Sequence, residues 1–386
     1  MAREKTEAKK PTTKRNYAAA LRDFSERLDH VAWEQLEHAY GKANDVPTLL
    51  RALATGNRDD QEEILFELYS NVLHQGTVYG ASPHAVPFVI ELLDIGKGWR
   101  LRAELLEYLG HLARGTSTDP VIQRKTRRAV AQGIESYSRF LDGGRTEVRR
   151  AAVFVLGGLV ARPPVVRILW RALSTSRNVG VRACVALALG AATTLKKQNA
   201  KVLTDVLADA PLVRIAAAMS LTGLLGAASP ASAVGTLLGS LPPVEKTSSD
   251  FDALPPFWPD IGLVACVCEC LGRVGPGSAP RLIEALSSLE GLDAVHAAYT
   301  LAEIAYKPEK SLGREEVAQR DAVLAAIVAS TPTWGSRSPL ELLQQYGYGA
   351  SALSQRLAPA LEAKKAAKKK AAKKKAAKKK AAKKKA

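Results

Sequence analysis

The chain has 386 residues, 47% hydrophobic but only 6% aromatic, and carries a formal net charge of +17. Its length exceeds the roughly 100–200 residues of a typical single domain, and an aliphatic core of Leu, Ala and Val favours an all-α chain. The charge does not describe the body: residues 364–386 hold fourteen lysines and no acid, residues 1–15 carry six basic and two acidic groups, and residues 16–363 sum to −1.

Other classes are set aside on composition. No window approaches the roughly 18 uninterrupted apolar residues of a membrane span, the longest apolar run lying near Ala151–Ala161. The basic N-terminus lacks the apolar stretch of a secretory signal. Four cysteines in a chain this long do not form a disulfide framework, so a reducing compartment is expected, with a soluble, cytoplasmic protein.

In chain order, residues 1–16 read as a basic, disordered terminus and residues 17–361 as the folded body. Helical apolar stretches begin with VPTLLRAL at Val46 and DQEEILFELY at Asp60. Asn71–Pro87 then breaks the rhythm with Gly76, Gly80 and Pro83, and it holds His74, Tyr79 and His84 as candidate partner contacts. A competing reading gives those imidazoles to helix ends or backbone carbonyls. AVPFVIELL follows at Ala85, and from Leu101 the chain becomes repetitive.

LRAELLEYLG at Leu101, VRRAAVFVLG at Val148, VRACVALALG at Val181 and VRIAAAMSLT at Val213 superpose without gaps. Each opens on an aliphatic residue and Arg, namely Arg102, Arg149, Arg182 and Arg214, and closes on Leu, followed by Gly in three of the four. Val148, Ala151, Ala152, Val155, Leu156 and Leu159 keep the i, i+3, i+4 spacing of a buried helical face. PPVVRILWRAL at Pro163, LTDVLAD at Leu203 and APRLIEALSSL at Ala279 supply second helices, several opening on Pro as a first turn permits. LVACVCECLG at Leu263 and DAVHAAYTLA at Asp293 are weaker copies. One helix pair cannot cover its own apolar faces, so stacked pairs are expected to share a core.

The aliphatic-Arg-x-x-Ala pattern closing on Leu-Gly resembles HEAT repeats, in particular those of the phycobilisome-lyase type, over about residues 46–330 and most clearly 101–226. The WEQLEHAYG and LYSNVLHQGTVYGASPHAVPFVIELL strings resemble the opening of large bacterial HEAT-repeat proteins. The resemblance implies an α-solenoid of HEAT-like helix-turn-helix repeats that binds macromolecules along its surface. Relatives of this repeat include bilin lyases and alkyl-base DNA glycosylases. A near-neutral body speaks against the glycosylase's basic groove, and fold likeness alone does not transfer either activity.

Residues 241–260 interrupt the solenoid with five prolines and with Phe251, Phe257 and Trp258. Aromatics among prolines make a candidate partner contact; the alternative is that they tuck back onto the repeats. No phosphate loop, GxSxG elbow or HExxH occurs, and no catalytic residue, cofactor or metal is expected. The Glu37–His38 pair lacks a second histidine and reads as helix surface. Cys266, Cys268 and Cys270 alternate around a helix, so three thiolates cannot meet at one tetrahedral ion.

From residue 362 a low-complexity tail begins, with Lys364, Lys365, Lys368, Lys369, Lys370, Lys373, Lys374, Lys375, Lys378, Lys379, Lys380, Lys383, Lys384 and Lys385 as its cations. A five-residue period spreads lysines right round a helix and leaves no apolar stripe for a membrane surface. In water the like charges repel and the segment is expected to be disordered. It resembles the tails of linker histones and bacterial histone-like proteins, which implies non-specific DNA or RNA association and a place at the nucleoid. Such binding displaces counterions and weakens steeply with salt. The expected function is a non-catalytic interaction scaffold, binding protein through the repeats and nucleic acid through the tail; the alternative is a solubilising tail.

Overall fold

In the computed structural model, residues 14–95, 98–192, 194–242, 245–255, 257, 262–305, 322, 323 and 326 are described. The lysine tail and Trp258 lie outside them. The chain is all-α, an α-solenoid of HEAT-like helix-turn-helix repeats. The sheet content among the described residues is two short hairpins, β1 (Glu37–His38) with β2 (Gly41–Lys42) and β3 (Leu73–His74) with β4 (Thr77–Val78). Contacts divide the chain into two compact units, Met1–Val202 with Leu254–Phe257, and Leu203–Ala253 with Trp258–Ala386.

The first unit contains α1 (Lys14–Asp29), α2 (Val46–Thr55), α3 (Arg58–Asn71), α4 (Ser82–Ile95), α5 (Trp99–Arg114), α6 (Pro120–Ala131), α7 (Ile134–Arg139), α8 (Thr146–Gly157), α9 (Pro163–Thr175) and α10 (Val179–Gly190). Two layers form. Helices α5, α8 and α10 stack in one, while α4 and α6 pack together in the other and each also touches α5. Local sequence sets the boundaries. Asn57 and Asp60 form a capping box at the start of α3, Asp119 caps α6 ahead of Pro120, and the Asn178 side chain accepts from Val181 N–H at α10.

The Leu-Gly close of the repeat has a steric cause. A Cβ on Gly110 of α5 would collide with the Phe154 ring of α8, lying 2.7 Å from Cε1 and closer still to Cδ1. One on Gly157 of α8 would lie 3.1 Å from Ala188 Cβ of α10. Glycine at this register is what lets successive helices of the layer approach.

The second unit begins in the C-terminal part of α11 (Lys196–Asp205). It continues with α12 (Pro211–Leu225), α13 (Ala231–Leu238), α14 (Glu245–Asp252), α15 (Gly262–Val274), α16 (Ala279–Leu286) and α17 (Gly291–Ala305). Here α12 packs on α15, and α15 on α17. Among the described residues, Pro211–Ala228 is the one helical stretch long and apolar enough to cross a membrane, with a mean hydropathy of 1.5. It contains Arg214, and 61% of it is buried within the protein, as a core helix requires.

Two readings of the sequence change. Glu37–His38 is a strand, not helix surface, because the β1–β2 turn places His38 inward, where it is 8% exposed. The second helix near Leu203 begins earlier, at Lys196, since the polar KKQNAK segment forms its first turns.

Candidate functional site

The four repeat arginines occupy one register: Arg102, Arg149, Arg182 and Arg214 are each the fourth residue of α5, α8, α10 and α12. Three of them close the preceding helix or turn. Arg102 Nε donates to Leu93 O (3.0 Å), Arg149 Nε to Leu141 O (3.0 Å) and Arg182 Nη1 to Leu173 O (2.6 Å). Those carbonyls belong to the last turn of a helix or the turn after it, where intrahelical donors run out. Arg149 Nη2 also donates to Ser176 Oγ (3.0 Å). The motif is therefore an architectural one, a charged donor spent on joining the two helices of a repeat.

A polar stripe runs along one edge of α5. Glu104, Glu107, His111 and Arg114 recur at three- and four-residue steps and are each half-buried. Aromatic rings continue it across neighbouring helices. Tyr108 meets Tyr69 edge-on at 4.7 Å, Tyr69 meets His111 at 5.7 Å, His111 meets Phe154 at 5.1 Å, and Phe154 meets Phe257 at 5.1 Å. The Arg114 guanidinium lies 3.9 Å from the Phe154 centroid and 5.7 Å from that of Phe257. Its Nη1 donates to Gly110 O and Phe154 O, both at 2.9 Å, which ties α5 to α8.

Burial sets the protonation of this stripe. It lowers Arg114 to about 9 and, helped by the Arg114 charge, holds His111 down at about 4, so that imidazole is neutral at pH 7. Burial and the Glu104 carboxylate raise Glu107 to about 7. Tyr69 is raised by burial, then by Glu107 and Glu104. The arrangement provides a titratable edge on a repeat helix.

The candidate contacts read from the sequence are dispersed. Phe257 turns back onto Phe154 and Arg114 in the first unit, while Phe251 is half-buried on α14 in the second. Among the described residues, no hydrogen bond or ring contact joins His74, Tyr79 and His84 to one another: His74 faces the Tyr40 ring at 5.5 Å. Tyr79 N–H donates to Ser82 Oγ (2.8 Å), which donates to Val72 O (2.6 Å) and so closes the hairpin onto α4. His84 is exposed, its pKa lowered by desolvation and by Lys125.

His38 is fully committed. Tyr40 N–H donates to its Nδ1 (3.0 Å), which leaves the proton on Nε2 to donate to Asp45 Oδ1 (2.9 Å); Asp45 Oδ2 accepts from Asn71 Nδ2 (2.6 Å). With both ring nitrogens engaged, this His–Asp pair staples the β1–β2 hairpin to α3. Cys266, Cys268 and Cys270 are all buried in α15, and burial pushes each thiol up to about 12. They pack as small apolar side chains. No cluster of metal-binding side chains occurs among the described residues.

Sequence reasoning missed the α5 stripe. Its signal was present in the three- and four-residue recurrence of Glu104, Glu107, His111 and Arg114, set against the apolar face of the same copy.

Residues 137–222 match the family model for HEAT repeats. No curated protein matches the chain. Two engineered proteins solved as crystal structures are similar. One is 17% identical over 82% of this chain and 98% of its own, with a TM-score of 0.30. The other is 18% identical over 72% and 95%, with a TM-score of 0.29.

Proposed function

We propose that this chain is a non-catalytic scaffold whose repeat body, residues 17–361, holds protein partners and whose tail, residues 362–386, associates with nucleic acid without reading its sequence. The observation that carries this reading is the segregation of charge: fourteen lysines and no acid in residues 364–386, against a sum of −1 over residues 16–363. A polycation gains affinity from released counterions whatever the base sequence. The lysine-alanine tail has no Arg for bidentate base contacts and no aromatic for stacking. HEAT repeats, matched at residues 137–222, are a protein-binding architecture, which supports the scaffold half. The site of action would be the cytoplasm, at the nucleoid.

The test is fluorescence anisotropy of a labelled DNA duplex against the full chain and a Δ364–386 form. The reading expects binding by the full chain and its loss in the deletion. Equal affinity of both forms removes the tail from nucleic-acid binding, and no binding by either leaves it a solubilising segment.

A further inference from the structure

Helix α3 buries Gln61, Leu65 and Leu68 along one edge. Its other face carries Asp59, Glu62, Glu63 and Glu67, all exposed, and among them Phe66, 72% exposed. Helical spacing sets Glu62 and Glu63 one turn before Phe66 and Ser70 one turn after it. A phenyl ring so placed contributes nothing to the core, and neither capping nor helix propensity calls for one there.

A second exposed ring lies at the same end of the helix. Tyr40, 67% exposed, sits in the β1–β2 turn, whose Ala39 N–H donates to Asn71 O at the last residue of α3 (3.0 Å). Asn71 lies five residues, or about 7.5 Å of helix rise, beyond Phe66. These are the two most exposed large apolar side chains among the described residues; the others are Val121 and Val179.

The charge around the rings selects a partner. Arg58 pairs with Glu62 and with Glu104 (2.8 Å). Asp59, Glu63 and Glu67 make no ion pair among the described residues. An apolar partner would strip water from these carboxylates without replacing it, and an anionic one would be repelled. A guanidinium or ammonium group satisfies both features, lying over an aromatic face while its N–H groups reach the carboxylates.

We propose that the exposed face of α3, with Phe66, Glu63, Glu67 and the neighbouring Tyr40, docks a lysine- or arginine-rich segment of a partner protein. This deepens the scaffold reading by naming the partner's chemistry, and it does not depend on the tail. The probe is a fluorescein-labelled peptide of eight arginines, titrated by anisotropy against the full-length protein at low salt. Glu63→Gln/Glu67→Gln is expected to weaken binding about 2–30-fold, the effect of removing two exposed charge pairs. Phe66→Ala is expected to weaken it about 2–5-fold through loss of the cation–π contact. Both variants alter exposed side chains, and unchanged far-UV circular dichroism would confirm that each is folded. Peptide affinity equal to wild type in either variant overturns the proposal. Tail-dependent DNA binding is measured separately, so the two readings fail independently.

Discussion

Arg149 serves two acceptors from one guanidinium, Leu141 O through Nε and Ser176 Oγ through Nη2. Arg149→Ala leaves the Leu141 carbonyl without its donor and the Ser176 hydroxyl with only the longer bond from Asn178 N–H (3.3 Å), at a cost of about 1–3 kcal/mol in urea denaturation. Arg149→Lys recovers little of it, because an ammonium group cannot reproduce the two-pronged geometry. The α5 stripe has a pH signature. With Glu107 raised to about 7 in the fold and at 4.5 when free, the folded state holds a proton that the unfolded chain has released between those values. Glu107 therefore costs stability above pH 7, and that cost is relieved as pH falls towards 4.5. Glu107→Gln is expected to gain about 1–3 kcal/mol at pH 8 and almost nothing at pH 4, by denaturation at both. His111 runs the other way on acidification. Held at about 4 against 6.5 when free, it contributes stability above pH 6.5 that is lost as pH falls to 4.

At the scale of the element, burial explains both the inert thiols and what the sequence made legible. Cys184 lies wholly inside α10, and Cys266, Cys268 and Cys270 lie inside α15. Thiols pushed up to about 12 carry almost no thiolate at pH 8. Ellman's reagent is thus expected to find none of the four accessible in the native protein and all four after denaturation; rapid native labelling would contradict the buried assignment. The repeat helices were readable because α5, α8, α10 and α12 combine apolar spacing with Arg at a fixed position. Helix α6, PVIQRKTRRAVA, escaped notice because it buries only a narrow edge, Thr126, Ala129 and Val130, in a segment where Arg124, Lys125, Arg127 and Arg128 dilute the apolar spacing. The hairpins are two residues per strand, too short for alternation to register. Helix α14 lies inside the proline-bounded interruption that composition marks as irregular. Phe257 was visible as an aromatic among prolines. Its seat on Phe154 and Arg114 joins positions more than a hundred residues apart, which no local pattern encodes.

On the scale of the whole molecule, two kinds of interaction are separated along the sequence. Arg102, Arg149 and Arg182 are spent on backbone carbonyls within the repeats, and acidic side chains balance the basic ones over residues 16–363, which sum to −1. The uncompensated positive charge is concentrated where no apolar residue larger than alanine occurs. Deleting residues 364–386 should then leave helicity and thermal unfolding unchanged while removing polyanion affinity, since the two ends of the chain draw on different physics.

The salt dependence of duplex-DNA binding tests this division most directly. If about ten tail lysines displace counterions, log K against log salt should fall with a slope of about −9 for the full chain, with no measurable binding once residues 364–386 are deleted. A shallow slope, or the same slope and affinity in the deleted form, would place the nucleic-acid contact elsewhere and contradict the account.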